Sequence, residues 1–495
     1  LNPVSNYVIL STSRRPLVLD LNIDLCTHNT TKMRAFFENQ KSKVENAVNI
    51  GFGNVVQVKD TVNNFFEDQR RKLSADINSY VESVKKSGQS AALYVPKPSD
   101  DDARLDNPDV ALSVPAIISR NGYPCETHTV MSQGYLLSVH RVPRGAGGGA
   151  AGGGAAPSRT VLLQHGLFAS SADWVLNGPG RALAYVLADA GYDVWMPNIR
   201  GNRYSKEHAW LKSDCKAYWN FSWHDIAMHD VPEIIDYIIM TKGSGTKISY
   251  IGHSMGTTIL FAMLTLRPEY NDILRAGIAL APEVFLSNMK SPLKSFAPLA
   301  SNMAYMETLY GSHEFFPKNS LLSNVFRACE TETMDDLVCK NMLFSICGSN
   351  ESQFNRSLLP IFMAHFGTGT SWKTIVHFAQ EVVSGRFQMF DYGPSHNRVL
   401  YGSDEAPDYD LSKVTLPLTL FWSKNDLLSD ERDVQTLYAR LPPSTTELCL
   451  VPHPEFNHLD YIWAIDAPTL VNRKLLDVLQ KNEQNEFNIR FTLRT

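Results

Sequence analysis

The run ISYIGHSMGTTILFAML, from Ile248 to Leu264, constrains this chain more than any other segment. Four apolar-rich residues read as a short buried strand, and TTILFAMLTL reads as a buried helix. Only Gly252-His253-Ser254-Met255-Gly256 lies between them. Such a change of period within five residues requires a sharp turn. Small residues on both sides of Ser254 would let the strand and helix backbones approach without collision. The turn would lift the serine hydroxyl clear of the sheet, the arrangement expected of a nucleophile. An ordinary turn serine is the plainer alternative, and the rest of the sequence must decide between them.

The surrounding pattern is strand and helix in alternation. TVLLQ, YDVWMPN and KISYIG read as buried strands, and GRALAYVLADAG, VPEIIDYIIMTKG and TTILFAMLTL as the helices between them. Later, LPLTLFWS and TELCLVP resume the strands, and DAPTLVNRKLLDVLQ supplies a closing helix. This order predicts an α/β fold with a mainly parallel sheet covered on both faces. The rhythm lapses between 285 and 410 into helical and loop-like sequence, which reads as a cap inserted into the sheet domain. The expected organisation is therefore an arm and linker at 1–107, a core at 108–284, the cap at 285–410 and the rest of the core at 411–495.

The arm is distinctive. Between 31 and 88, Met33, Val44, Val55, Phe66 and Ile77 recur every eleven residues, with basic side chains between them. An 11-residue period keeps an apolar stripe on one face of a nearly straight helix. Two readings stay open: an amphipathic helix on a lipid surface, or a helical hairpin packed against protein. The Gly/Ala stretch at 145–156 lies between two strand-like runs and reads as a tolerated loop expansion at a hairpin tip. No Lys-Ser/Thr helix follows it, so it is not a phosphate cradle.

Charge and composition exclude several classes. Formal net charge is −5 over 495 residues, which gives no case for nucleic-acid binding. No apolar run is long enough for a transmembrane segment. No histidine or cysteine spacing suggests a metal site, so neither metal nor cofactor is expected. The chain opens on Leu1, and the reading is of a protein whose leader has been removed.

A serine hydroxyl needs a base, and the base needs an acid to fix its tautomer. WSKND supplies Asp426 just beyond a strand, and EFNHLDYIW supplies His458 between the last strand and the closing helix. The order Ser254, Asp426, His458 fits this fold type. Asp430 could instead be the acid or merely favour a helix start, His453 reads as a surface residue, and Asp460 could orient the backbone near His458. The developing oxyanion needs two backbone N–H donors, one from Met255 and one from Leu167 in LLQHGLF.

These stretches resemble the acid lipase family, which includes gastric and lysosomal acid lipases. The match runs from about Pro108 to Leu479, through IISRNGYPCETHTVMSQGYLLSVHRVP, LLQHGLFASSADWVLNGPGRALAYVLADAGYDVWMPNIRGNRYS, YIGHSMGTT, WSKNDLLSD and NHLDYIWAIDAP. It implies an α/β-hydrolase core with a mostly helical cap, and hydrolysis of neutral lipid esters, triacylglycerol and steryl esters. It implies Ser254, Asp426 and His458 as triad, with Leu167 and Met255 as oxyanion donors. It also implies a cap disulfide between Cys329 and Cys339. An acyltransferase with the same triad, or a lipid carrier of weak activity, are the rival readings. The resemblance, with glycosylation sequons at Asn29, Asn220, Asn350 and Asn355, implies a secreted or lysosomal protein. Asn220, in the aromatic run YWNFSWHD, reads as too buried to modify. Met255 stands where vertebrate members usually carry glutamine, and the arm has no counterpart in the family.

Overall fold

The computed structural model describes residues 7–12, 15–20, 107–146, 159–300, 314–315 and 336–492. The chain divides into two compact units, Leu1–Cys26 with Asp106–Thr495, and Thr27–Leu105. The second unit, and with it the amphipathic stripe at 31–88, lies outside the described residues. So do most of the Gly/Ala stretch, Asn29 and Cys329.

Near the N-terminus, β1 (Tyr7–Thr12) and β2 (Arg15–Asp20) pair antiparallel, with Tyr7 opposite Asp20. This part of the expected helical arm is thus a β-hairpin, made of the β-branched and apolar runs YVILST and RPLVLD.

The main sheet contains β3 (Glu126–Ser132), β4 (Tyr135–Val142), β5 (Thr160–Gln164), β6 (Asp193–Pro197), β7 (Glu207–His208), β8 (Ile248–His253), β9 (Leu274–Leu280), β12 (Leu418–Trp422) and β13 (Thr446–Leu450). Their spatial order is β13-β12-β9-β8-β5-β6-β4-β3, with β7 beside β4. The strands from β13 to β6 are parallel. Strands β3 and β4 add an antiparallel edge. Every residue of β5, β6, β8 and β12 is buried, which explains why these segments read as unbroken apolar runs. The edge strand β3 has one face open, and Met131 there is exposed.

Successive residues of each strand point to opposite faces. Val161, Leu163, Val194, Met196 and Ile251 join one core, against the helices α1 (Val114–Arg120), α2 (Leu183–Asp189) and the C-terminal helix from Arg473 to Thr492. Leu162, Trp195, Tyr250 and Leu420 join the other, under α3 (Val231–Lys242) and α4 (Met255–Leu266). One sequence expectation fails here. Strands β4 and β5 do not pair with each other; β6 lies between them. The Gly/Ala stretch is therefore a crossover connection and not a hairpin tip. The strand β9, LRAGIAL, is the one central strand not recognised in the sequence. Its Arg, Gly and two alanines dilute the β-branched signal.

The segment 285–410, expected from the sequence to be a cap, contains α5 (Asp336–Cys347), α6 (Leu359–His365), α7 (Trp372–Ser384) and α8 (Pro394–Tyr401). The short strands β10 (Glu314–Phe315) and β11 (Thr370–Ser371) pair antiparallel within it. No helix among the described residues is long and apolar enough to cross a membrane.

Candidate active site

The turn between β8 and α4 is as tight as its sequence demands. Ser254 has φ +54°, in the left-handed region that few non-glycine residues occupy. A Cβ on Gly252 would lie 2.6 Å from the Gly256 carbonyl oxygen, and a Cβ on Gly256 would lie 2.4 Å from that of Gln164. Both glycines are thus required by close backbone approach. The Ser254 N–H donates to Leu280 O across the sheet at 3.1 Å, and Tyr250 Oη–H donates to Gly256 O at 2.8 Å. These bonds hold a conformation that would otherwise relax.

Asp426 and His458 lie beyond the C-terminal ends of β12 and β13, beside the turn, as the sequence order predicts. His458 Nδ1–H donates to Asp426 Oδ2 at 2.9 Å, with Oδ1 at 3.1 Å. Asp426 Oδ1 in turn accepts the backbone N–H groups of Leu428 and Ser429, each at 2.9 Å. Burial pulls the His458 imidazole toward neutrality, but the Asp426 carboxylate, helped by Glu283, outweighs it and raises its pKa.

The other candidates separate cleanly. Asp430 is the N-cap of the helix Glu431–Arg440, accepting the Arg432 N–H at 2.9 Å. His453 is half-buried in the loop after β13, where Nδ1 accepts the Glu455 N–H at 3.3 Å. Asp460 is buried and ties the loop that carries His458: Oδ2 accepts from Asn457 N at 2.8 Å and Asn350 Nδ2 at 2.7 Å, and Oδ1 from Trp463 Nε1 at 3.1 Å. Asn350 is therefore buried with its amide engaged, and the folded chain does not offer it for glycosylation. Asn220 is exposed, contrary to the expectation from its aromatic neighbours; the rings of Tyr218, Trp219 and Phe221 turn inward and leave it outside. Asn355 is half-buried at the start of a short helix.

Leu167 and Met255 flank Ser254. A Cβ on Gly166 would lie 3.0 Å from Ser254 Cβ, so the loop after β5 runs directly against the serine. Met255 is the first residue of α4, where the N–H has no intrahelical acceptor. His165 steadies the loop: Nδ1–H donates to Gly166 O at 2.8 Å, and Nε2 accepts the Ile199 N–H at 3.3 Å. Burial lowers its pKa to about 4, and that of His253 to about 3. His253 Nε2–H donates to the His458 carbonyl at 2.9 Å. Phe168, at φ +60°, stacks on Phe315 with ring centres 5.1 Å apart, and Phe315 meets Trp372 at 4.5 Å. These rings form an apolar cluster beside the loop.

One residue at the centre went unrecognised in the sequence. Glu283, in LAPEVF after β9, is buried, and the Ser254 hydroxyl donates to its Oε2 at 2.9 Å. Its Oε1 lies 3.7 Å from His458 Nε2. Among the described residues the serine hydroxyl makes no hydrogen bond to His458 itself. The available signal was an acidic residue just past a strand end, and it was lost with the unrecognised strand.

Cys339 and Cys215 are each disulfide-bonded, and Cys125, Cys347 and Cys449 are free.

A strained serine at a strand-to-helix turn, on a parallel sheet whose loops carry a paired histidine and aspartate, defines the class of α/β-hydrolase serine ester hydrolases. A family model described as alpha/beta hydrolase fold matches residues 159–464, and one described as partial alpha/beta-hydrolase lipase region matches residues 114–178. The chain is 39% identical over 369 residues to Lipase 3 of Drosophila melanogaster, covering 74% of this chain and 92% of that protein. It is 38% identical over 375 residues to Lipase 1 of the same organism, covering 75% and 81%. It is 36% identical over 384 residues to the gastric triacylglycerol lipase of Bos taurus, covering 76% and 93%. The chain belongs to the acid lipase family.

Proposed function

We propose that this protein is a secreted or lysosomal lipase that hydrolyses triacylglycerol, and steryl esters with it, through an acyl-enzyme on Ser254. Ser254 Oγ attacks the ester carbonyl, and His458 takes its proton and later returns it to the departing alcohol. Asp426 orients His458 and stabilises the imidazolium. The Leu167 and Met255 N–H groups receive the oxyanion, and water then releases the acid. The observation that carries this reading is the Asp426–His458 pair beside a serine held at positive φ. The names of the relatives support a triacylglycerol substrate. The aromatic cluster of Phe168, Phe315 and Trp372 suits an acyl chain.

Secretion or lysosomal residence is supported by the bonded Cys215 and Cys339, because disulfides persist in oxidising compartments. Pairing of Cys339 with Cys329, glycans on Asn29, Asn220 or Asn355, and lipid-surface association through residues 31–88 belong to the same proposal. Vesicle flotation with and without residues 1–100 tests the last of these, and equal binding ends it.

The test of the activity is labelling with a fluorophosphonate followed by a panel of triacylglycerol and steryl ester hydrolysis. Label on the wild type and none on Ser254→Ala is the expected result. Retained label on Ser254→Ala overturns the nucleophile assignment.

A further inference from the structure

Glu283 is an expensive residue in its position. It is 6% exposed, and among the described residues the charged groups that act on it are His458 and Asp426. A buried carboxyl carries a desolvation cost that an apolar side chain of similar size would avoid. Its backbone is also fixed from two sides. Its N–H donates to Thr257 Oγ1 at 2.9 Å and its carbonyl accepts from Thr258 Oγ1 at 2.5 Å, both from α4. Before it, Ala281 is held at φ +51°, and Pro282 O accepts from Ser429 Oγ at 2.8 Å. The N–H of that same Ser429 donates to Asp426. The carboxyl is thereby locked between nucleophile and base, 2.9 Å from one and 3.7 Å from the other.

We infer that Glu283 is a second proton-handling catalytic residue, the acceptor of the Ser254 proton whenever His458 is an imidazolium. The inference rests on the reading of Ser254 as nucleophile. The cycle begins with Glu283 as carboxylate and His458 protonated. The Ser254 Oγ–H bond breaks and its proton passes to Glu283 Oε2, while Oγ bonds the acyl carbon and the carbonyl pair moves to oxygen. The oxyanion collapses, the C–O bond to the alcohol breaks, and the alcohol takes the proton of His458 Nε2. Neutral His458 then accepts a proton from the attacking water. Glu283 returns its proton to Ser254 Oγ as the acid departs, which restores the starting state.

The groups facing Glu283 agree with this use. Ser254 approaches from the turn, His458 and Asp426 from the loops after β13 and β12, Cys347 from the end of α5 and Glu381 from α7. Burial lifts the Glu283 carboxyl above the ordinary glutamate value, against the pull of His458 and the Ser254 hydroxyl. Glu381 has neither carboxylate oxygen hydrogen-bonded, and burial, then Glu283, push its pKa well up. The Asp426 carboxylate also acts on Glu283, in the same direction as burial. Two interacting groups lose their protons in macroscopic steps that belong to the pair. The acid limb of activity is then set by the first step of the Glu283–His458 pair, below that of His458 acting alone.

The experiment is the pH profile of kcat/KM for wild-type full-length protein and Glu283→Gln with a nitrophenyl butyrate. Its leaving group needs no proton, so attack by Ser254 is isolated. Fluorophosphonate labelling at about pH 8 verifies an intact nucleophile in each variant, and Ser254→Ala separately tests the reading on which this rests. The expected result is an acid limb displaced upward in Glu283→Gln, with a loss of at least about tenfold at about pH 5 and less than about threefold at pH 8. Glu283→Val, which leaves no amide to hydrogen-bond, is expected to show the same displacement should the glutamine variant not fold. Superimposable acid limbs, an equal loss at every pH, or a gain across the range each overturn the proposal.

Discussion

Gly256 packs against the end of β5 so closely that a Cβ there would come within 2.4 Å of the Gln164 carbonyl oxygen. The nucleophile turn and the loop carrying Leu167 are therefore one packed unit. Gly256→Ala must push the start of α4 away from β5. Overpacking of this kind costs about 1–3 kcal/mol. The expected outcome is a lower urea midpoint by that amount and a larger fall in esterase activity, because Met255 N–H and Ser254 move together. Unchanged urea midpoint and activity would refute the packing argument.

Asp426 and Asp430 are four residues apart and have different tasks. Asp426→Asn keeps the shape of the pair but removes the charge that stabilises the imidazolium and favours the wrong tautomer, for an expected loss of about 10³–10⁴ in kcat. Asp430→Asn keeps a good N-cap residue, and loses only its contacts with the Lys290 ammonium, which is half exposed, and Arg432, which is largely exposed. Its expected effect on kcat is less than about twofold, with a stability change of about 1 kcal/mol or less. Esterase kinetics on the two variants decide the matter; comparable losses would mean that both acids serve the histidine.

Most of this arrangement was legible in the sequence because it depends on local chemistry. The glycines of GHSMG are dictated by close backbone contact, and each partner lies in the loop after a strand that the sequence shows. Asp430 could be sorted from Asp426 only in three dimensions, since capping and pairing both suit an aspartate after a strand. Glu283 was illegible for a different reason. Its role depends on β9 lying between β8 and β12, and spatial order of strands is not written in hydropathy. The same blindness made the Gly/Ala stretch look like a hairpin tip, when β6 in fact separates its two flanking strands.

Arg200 and Asp230 form a buried ion pair beneath the loop that follows β6. Arg200 Nε–H donates to Asp230 Oδ2 at 2.7 Å, a second bond joins Nη2 to Oδ1, and the guanidinium lies 4.3 Å from the centre of the Tyr135 ring. Asp230→Leu or Arg200→Met alone leaves one uncompensated buried group and is expected to cost about 3–5 kcal/mol. The double variant Arg200→Met/Asp230→Leu removes both charges and should recover most of that loss. Urea denaturation of the three variants measures the coupling, and additive losses in the double variant would sink it.

Asp460 makes stability fall as pH rises through a defined window. Burial raises its carboxyl from the usual value near 3.8 to about 6, against three hydrogen bonds that favour the charged form. The folded state therefore binds this proton more tightly than the unfolded chain does. Between about pH 4 and 6 the native protein carries the extra proton, so the unfolded state is relatively favoured as pH rises. A shift of that size amounts to about 3 kcal/mol at most. Asp460→Asn cannot ionise and loses this dependence. Wild-type stability, measured relative to Asp460→Asn by denaturant unfolding, is expected to decline by up to that amount from about pH 4 to pH 7. A difference that stays flat, or grows with pH, would show that the three N–H donors outweigh burial and that Asp460 is ionised throughout.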